Sequence, residues 1–381
     1  MKYLLLLTAF CTASFAETVK LTPPEMNIRS QIACNRPMRA GRFNISTEKD
    51  SGKTIVNCLG HGGSGYTTLF GSVNKAIRLF EELPDTNKST PIRIIGSGCM
   101  GLACATELSR LGYTVSGITT EERYDIASWR ATGYFALVSI KTSPEDQAEL
   151  NEIGMDTFQA YNEVAAGKHP FLKSNIVRLI PVYSSKDTDV GIEDLEARGL
   201  IPPHEDVTLD FGNGVIYEDF AKNMTYFMDV TSMMRQFTAK VEELNIPIEM
   251  KTVKSFADLD ESVIFNCSGL GGRVLNQDID LIPVRGHLLM LDESAGTDHM
   301  DYMIYTKDPN FEGRYIYLFP KRMTVTSADL DGYGSHGLLG GTFIPLTGNE
   351  SVDELEALDK KEYADLRNRN ALFFTGKAIE E

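Results

Sequence analysis

Along this chain, short apolar runs repeatedly give way to glycines and then to apolar residues at helical spacing. Ile92-Arg93-Ile94-Ile95 is a strand-like run, Gly96-Ser97-Gly98-Cys99-Met100-Gly101 follows, and Leu102 to Leu111 carries helical spacing up to Gly112. Tyr113 to Ile118 then predicts the next strand. An earlier unit is built alike. Ile55 to Leu59 feeds the glycine-dense stretch Gly60 to Gly65, and Leu69, Val73, Ile77 and Phe80 then share one face of a helix over Leu69 to Leu83. The polar stretch Pro84 to Thr90 reads as a linker.

Beyond this the pattern is sparser, and 141 to 262 is the least informative region. It predicts a hairpin turn at Gly212-Asn213-Gly214, a helix over Met228 to Leu244 with Asp229 or Thr231 near its cap, and a strand over Ile246 to Val253. Val263 to Gly269 is an apolar strand meeting a small-residue turn. Further strands are expected at Gly286 to Leu291, Arg314 to Phe319, Met323 to Ser327 and Leu338 to Phe343. Ser351 to Phe374 is a charged amphipathic helix whose charges read as a solvated face.

Composition narrows the function. The 381 residues suffice for two domains or one large one, and 42% hydrophobic with 24% charged residues is ordinary for a soluble globular protein. A net charge of -16 argues against a nucleic-acid partner, since phosphate contacts need an excess of Lys and Arg. Lys2, the apolar run Tyr3 to Phe10 and the small residues of Ser14-Phe15-Ala16 read as a signal peptide cut after Ala16, which predicts a secreted or periplasmic protein. The run is too short to span a bilayer, and no later one is long enough. Cys34, Cys58, Cys99, Cys104 and Cys267 would remain, an odd number without a C-x-x-C pair, so buried thiols are expected. The six histidines are scattered, and no metal site is expected.

Strand, G-x-G-x-x-G, helix and strand is the order of a dinucleotide-binding unit. Gly96 allows the tight turn, Gly98 leaves room for a pyrophosphate, and Gly101 lets the helix approach the strand, while Ser97 and Met100 complete the loop at a helix N-terminus rich in free N–H groups. Glu121 or Glu122 is placed to hold ribose hydroxyls. The same glycines also suit a purely structural turn. The loop Gly60 to Gly65 can bring backbone against a flat ligand with no Cβ in the way.

Taken together these motifs resemble the D-amino-acid oxidase family. Asn57 to Thr67 resembles its N-Y-G-H-G-G-x-G-x-T signature, and Arg36-Pro37-Met38-Arg39 its R-P-x-R element. Val263 to Gly269 resembles V-x-N-C-T-G, Pro283 to His287 resembles P-G-R-G-Q, Tyr317 to Pro320 resembles Y-I-I-P, and Gly340 to Phe343 resembles G-G-x-F. In the family the first two elements follow the nucleotide unit. Here they precede it, with no second copy later, which points to a circular permutation.

The resemblance implies an α/β fold: an FAD-binding Rossmann-like βαβ domain, a substrate domain with a large mixed or antiparallel sheet, circularly permuted. The boundaries it implies are 1–16 signal peptide, 17–83 permuted segment completing the FAD domain, 84–91 linker, 92–140 FAD-binding unit, 141–225 and 286–345 substrate domain, 226–285 return of the FAD domain, and 346–381 C-terminal helix. It implies FAD as cofactor, and an amino acid and oxygen as reactants. Arg36 would bind the carboxylate, the Gly63 carbonyl the amino group, and the Tyr317 hydroxyl would complete the clamp, with Tyr305 and Tyr315 nearby. Gly62, Gly63, Gly65, Tyr66 and Thr67 would face the flavin ring, with Gly96, Ser97, Gly98, Met100 and Gly101 on the phosphates, Glu121 on the ribose and Val253 on the adenine.

Departures are Ser128 to Phe135, which replaces a Thr-rich loop and A-A-G-x-W-x-P, and His287 in place of an amide. The alternatives are a related flavin enzyme passing electrons from another amine or amino acid to another acceptor, an NAD-dependent dehydrogenase, and a non-catalytic exported amino-acid-binding protein.

Overall fold

The computed structural model describes residues 16–84, 86–138, 140, 143, 145–292, 300–322 and 336–379. The signal-peptide run and the strand expected over Met323 to Ser327 lie outside the described residues.

Among the described residues sixteen strands form two sheets. In chain order they are β1 (Glu17–Lys20), β2 (Ile28–Arg39), β3 (Asn44–Asp50), β4 (Lys53–Leu59), β5 (Ile92–Ile95), β6 (Val115–Thr120), β7 (Val177–Ser185) and β8 (Glu205–Asp210). They continue as β9 (Ile216–Met228), β10 (Ile248–Met250), β11 (Val263–Asn266), β12 (Leu281–Leu291), β13 (Met303–Lys307), β14 (Tyr315–Arg322), β15 (His336–Gly340) and β16 (Ile344–Pro345).

The six-stranded sheet has the order β10-β6-β5-β11-β4-β3. All neighbours are parallel except β3, which folds back on β4 as a hairpin. Helices cover its faces, so its strands are apolar throughout: Ile55, Val56, Ile264 and Phe265 are fully buried. The early strand β4 thus enters the sheet that the later glycine unit builds. A polar network ties it there, with Asn266 Nδ2 donating to Asn57 Oδ1 at 3.0 Å and Asn57 Nδ2 donating to Glu48 Oε1 at 2.7 Å.

The ten-stranded sheet has the order β1-β8-β9-β7-β13-β14-β15-β12-β16, with β2 also paired antiparallel to β12. The helix Val352–Thr375 packs on it through Leu366, Phe373 and Phe374, and starts in a capping box between Ser351 and Glu354. Its charged residues are not all solvated, since Arg369 is buried on Asp308 and the Tyr315 carbonyl. No helix among the described residues is long and apolar enough to cross a membrane. Among the described residues the five cysteines are free, and four are buried.

Several expected elements move. The helix after the G-x-G-x-x-G loop spans Cys99–Arg110, starting earlier because Gly98 is its N-cap. The next strand starts at Val115, not Tyr113, because the Gly112 and Tyr113 N–H groups still close the helix by bonding the Ser109 and Leu108 carbonyls. The strand expected over Ile246 to Val253 shrinks to Ile248–Met250, an edge strand that pairs on one side only. β15 stops at Gly340, because Gly341 turns the chain at a φ of 139°. The helix Val230–Glu243 is capped by Asp229, whose carboxylate accepts the Ser232 N–H. The helix Leu69–Glu81 buries all four residues assigned to its inner face.

That helix crosses the helix Gln147–Ala165 at Gly71, where a Cβ would lie 2.1 Å from the Ile153 carbonyl oxygen. Gly71→Ala is therefore expected to push the helices apart and cost about 1–3 kcal/mol, read as a lower urea midpoint. An unchanged midpoint would show that this crossing is not tight.

Candidate functional site

The site is built where three parallel strands leave one edge of the sheet. In the parallel array Asn266 of β11 lies opposite Asn57 of β4 on one side and Ile95 of β5 on the other. The loops that follow, Gly60 to Thr67, Cys267 to Gly271 and Gly96 to Cys99, therefore leave the same edge of the sheet. That edge is where open α/β sheets bind ligands. Gly96 has a φ of +98°, and a Cβ there would lie 2.4 Å from the Cys267 carbonyl oxygen. A Cβ on Gly101 would lie 1.9 Å from the Gly96 carbonyl oxygen, so the helix can approach only as glycine.

β2 brings the larger sheet to this edge. The Arg39 N–H donates to the Gly60 carbonyl at 3.1 Å, and the Gly62 N–H donates to the Pro37 carbonyl at 2.8 Å. The arginine strand and the glycine loop expected from the sequence to fold over the nucleotide unit are thus joined and lie beside it. His61 is structural here: it stacks on Phe43 and bonds Ser72 Oγ at 3.1 Å.

At the far end of the edge, Glu121 follows β6 and accepts from Thr252 Oγ1 at 3.3 Å, next to Val253. Both acids are exposed, and Glu122 is the one held by the following backbone. Glu122 takes the N–H groups of Arg123, Tyr124 and Asp125, which hold its carboxyl below the ordinary carboxylate range. The Ser97 hydroxyl is held inward by Thr120 Oγ1 and the Glu122 carbonyl. Met100 is a core residue against Cys58, so only its backbone faces the loop.

Between these ends the cradle is covered by the chain itself. The Cys99 N–H donates to Ser128 Oγ at 3.0 Å, and a Cβ on Gly98 would meet only Ser128 Oγ at 3.0 Å and Ile126 Cδ1 at 4.0 Å. The Tyr66 hydroxyl donates to the Ser128 carbonyl at 2.9 Å, Thr67 Oγ1 accepts the Ala136 N–H at 3.2 Å, and the Ser64 hydroxyl donates to the Val138 carbonyl. The loop Gly62 to Thr67 therefore turns its side chains toward residues 128–138, with Gly63 exposed and Gly65 near Cys99 Sγ. The glycine turn, the close helix and the open Glu121 suit FAD. The Ser128 side chain stands where its phosphate would bond and must swing aside.

Arg36 and Tyr317 meet on the larger sheet. Arg36 donates to the Thr342 carbonyl at 3.2 Å and lies over the Phe343 ring at 5.8 Å, and among the described residues no carboxylate pairs with it. Among the described residues the Tyr317 hydroxyl is buried without a hydrogen-bond partner. Burial pushes its pKa up, and the neighbouring Arg36 guanidinium draws it back in part. Glycines make room for both: a Cβ on Gly340 would strike the Tyr317 ring and one on Gly286 the Arg36 guanidinium. Tyr305 stacks on Tyr315 at 5.6 Å between centroids. His287 is fully buried, bonded to Thr342 Oγ1 and Asp359, and supports the Thr342 turn that Arg36 grips.

Lys321 carries no motif, and sequence reasoning missed it. Its only signal is alternation, since Tyr315, Tyr317, Phe319 and Lys321 share one face of β14. It is 1% exposed, and its ammonium donates to the Trp129 carbonyl at 3.1 Å and to the Ala131 carbonyl. Burial pulls its pKa from 10.5 down to about 7.

No protein-family model matches the chain. Among solved structures it is similar to fructosyl amine:oxygen oxidoreductase (Amadoriase I) from Aspergillus fumigatus, at 12% identity and a TM-score of 0.40 over 68% of this chain and 63% of that one. L-amino acid deaminase from Proteus vulgaris gives 12%, 0.40, 68% and 63% on the same measures. Glycine oxidase from Geobacillus kaustophilus gives 14%, 0.42, 75% and 78%. The chain thus spans less than two thirds of the length of the first two, and likeness at this level carries no conclusion about its function.

A buried lysine makes stability depend on pH. The folded state sheds its proton near 7 and the unfolded state near 10.5, so the burden of the buried charge is full below about 7 and fades as pH rises through that window. Relative to the parent, Lys321→Met is expected to gain on the order of a few kcal/mol at pH 6 and progressively less toward pH 10. Urea midpoints of the two proteins across that range check it; a constant difference would place the amine in water.

Proposed function

We propose that the chain is an FAD-dependent oxidoreductase of the D-amino-acid oxidase type, circularly permuted and acting after export. Its reaction would convert a D-amino acid, oxygen and water to the 2-oxo acid, ammonia and hydrogen peroxide. The observation that carries this reading is the meeting of Arg36, which has no acid partner among the described residues, with Tyr317, a buried hydroxyl that has no hydrogen-bond partner among them. A substrate carboxylate satisfies both at once, because a guanidinium and a hydroxyl are complementary donors to its two oxygens. The permutation is supported by β2, β3 and β4, which precede the glycine unit in the chain yet complete both sheets around it.

In this reading Arg36 binds the carboxylate, Tyr317 donates to it, and the Gly63 carbonyl accepts from the amino group, fixing which face of Cα is presented. Gly96 to Gly101 hold the pyrophosphate, Glu121 the ribose and Val253 the adenine edge, while Gly62, Gly65, Tyr66 and Thr67 flank the ring. FAD supplies the two-electron acceptor when bound, with oxygen restoring it. A second reading, ligand binding without turnover, is favoured by one observation, the Ser128 hydroxyl on the Cys99 N–H.

A visible spectrum after incubation with FAD, followed by peroxide release over a panel of D- and L-amino acids, separates the readings. Flavin absorbance with peroxide from D-amino acids is the expected result; a colourless protein that binds amino acids favours the second. Arg36→Ala is expected to raise KM for a carboxylate substrate about ten- to a hundredfold with FAD retained. Unchanged kinetics would remove Arg36 from the site. Gly98→Val is expected to abolish nucleotide binding.

A further inference from the structure

We propose that Glu121–Ala131 is a strap that a dinucleotide must displace, and that Lys321 is the residue that latches it over the cradle. The proposal rests on the nucleotide reading of the glycine unit. It starts from the departure noted in the sequence, where Ser128-Trp129-Arg130 replaces the family's loop.

The strap follows β6 and crosses the helix N-terminus in a short helix, Ala127–Arg130. Its cover over the loop is made of side chains. Above Gly98 lie only the tips of Ser128 and Ile126, and the bond from the Cys99 N–H ends on a hydroxyl that one rotation can remove. The backbone behind the cradle is fixed, so admitting a phosphate needs movement of the strap and not of the Rossmann unit.

Several separate anchors hold the strap down. The Tyr66 hydroxyl donates to the Ser128 carbonyl, and Arg130 donates to the Ala33 carbonyl while pairing with Asp125. Lys321 then grips the Trp129 and Ala131 carbonyls from the larger sheet, reaching from the same strand face that carries Tyr317. Those carbonyls are the polar groups that satisfy this buried amine, since among the described residues no carboxylate pairs with it. Letting the strap go therefore leaves a buried amine without partners, which holds the latch shut.

Trp129 is the sole tryptophan of the chain and lies in the strap, 8% exposed, with its ring N–H on the Arg123 carbonyl at 2.8 Å. Its emission reports the strap directly. The experiment titrates the full protein, Ser128→Ala and Lys321→Met with ADP, which has no flavin to quench by energy transfer, and then with FAD. A saturable red shift of emission with ADP is expected, and each variant should bind ADP about five- to tenfold tighter than the parent, the equivalent of losing one net hydrogen bond from the closed strap. ADP binding with unmoved emission, or variants that bind no tighter than the parent, would overturn the strap and leave the nucleotide reading standing. Failure of all three proteins to bind either nucleotide would overturn both.

Discussion

The shared parallel register of β4, β11 and β5 is the constraint on which the rest depends. Parallel pairing fixes the register of these strands residue by residue, so their loops must leave one edge together. A shift of one residue in β4 would exchange the residues packed on its two buried faces, turning Asn57 toward the cluster that holds Val56 and Cys58, and move the glycine loop by more than 3 Å. The Asn57–Asn266 bond and its link to Glu48 oppose such a slip, because each buried amide would lose a partner that water cannot replace. Arg36 inherits its position from the same register, through the bonds between β2 and the Gly60 to Gly62 turn.

Electrostatics in the interior run against those of the surface. The chain carries a net charge of -16, yet the cleft face of the larger sheet holds Arg36 and Lys321, neither with an acid partner among the described residues. Two other buried or half-buried arginines are compensated, Arg285 by Asp359 and Arg369 by Asp308 and Asp365. An uncompensated cation in a packed interior is costly to retain, and such groups mark positions selected for something other than stability. The acidic exterior also repels small anions at long range, so any anion reaching the cleft does so by contacts at short range.

The parts of the fold legible in the sequence are those with strong local period or punctuation. The helix at Leu69, the hairpin turn at Gly212 to Gly214 and the glycine turn at Gly96 each announce themselves within a dozen residues. The helix Gln147–Ala165 and the strand β7 do not. Their apolar residues interleave with charges, and their partners lie far off in the chain, as with Leu179 opposite Tyr226. Arg36 and Tyr317, and their meeting in one clamp, could be named from the motif resemblance, whereas the pairings around β12 that bring them together, joining positions about 250 residues apart, could not. Lys321 was invisible because a lone lysine in a strand carries no motif and only the packed sheet reveals its burial.

The two sheets are stitched by backbone where β2 meets the Gly60 to Gly62 turn. Swinging them apart as rigid bodies about a hinge would tear both bonds and drag the guanidinium from its seat. Traffic into the interior must then rely on local yielding of covering segments, so uptake should be slow and seating reproducible, with the architecture trading speed of loading for fidelity of alignment.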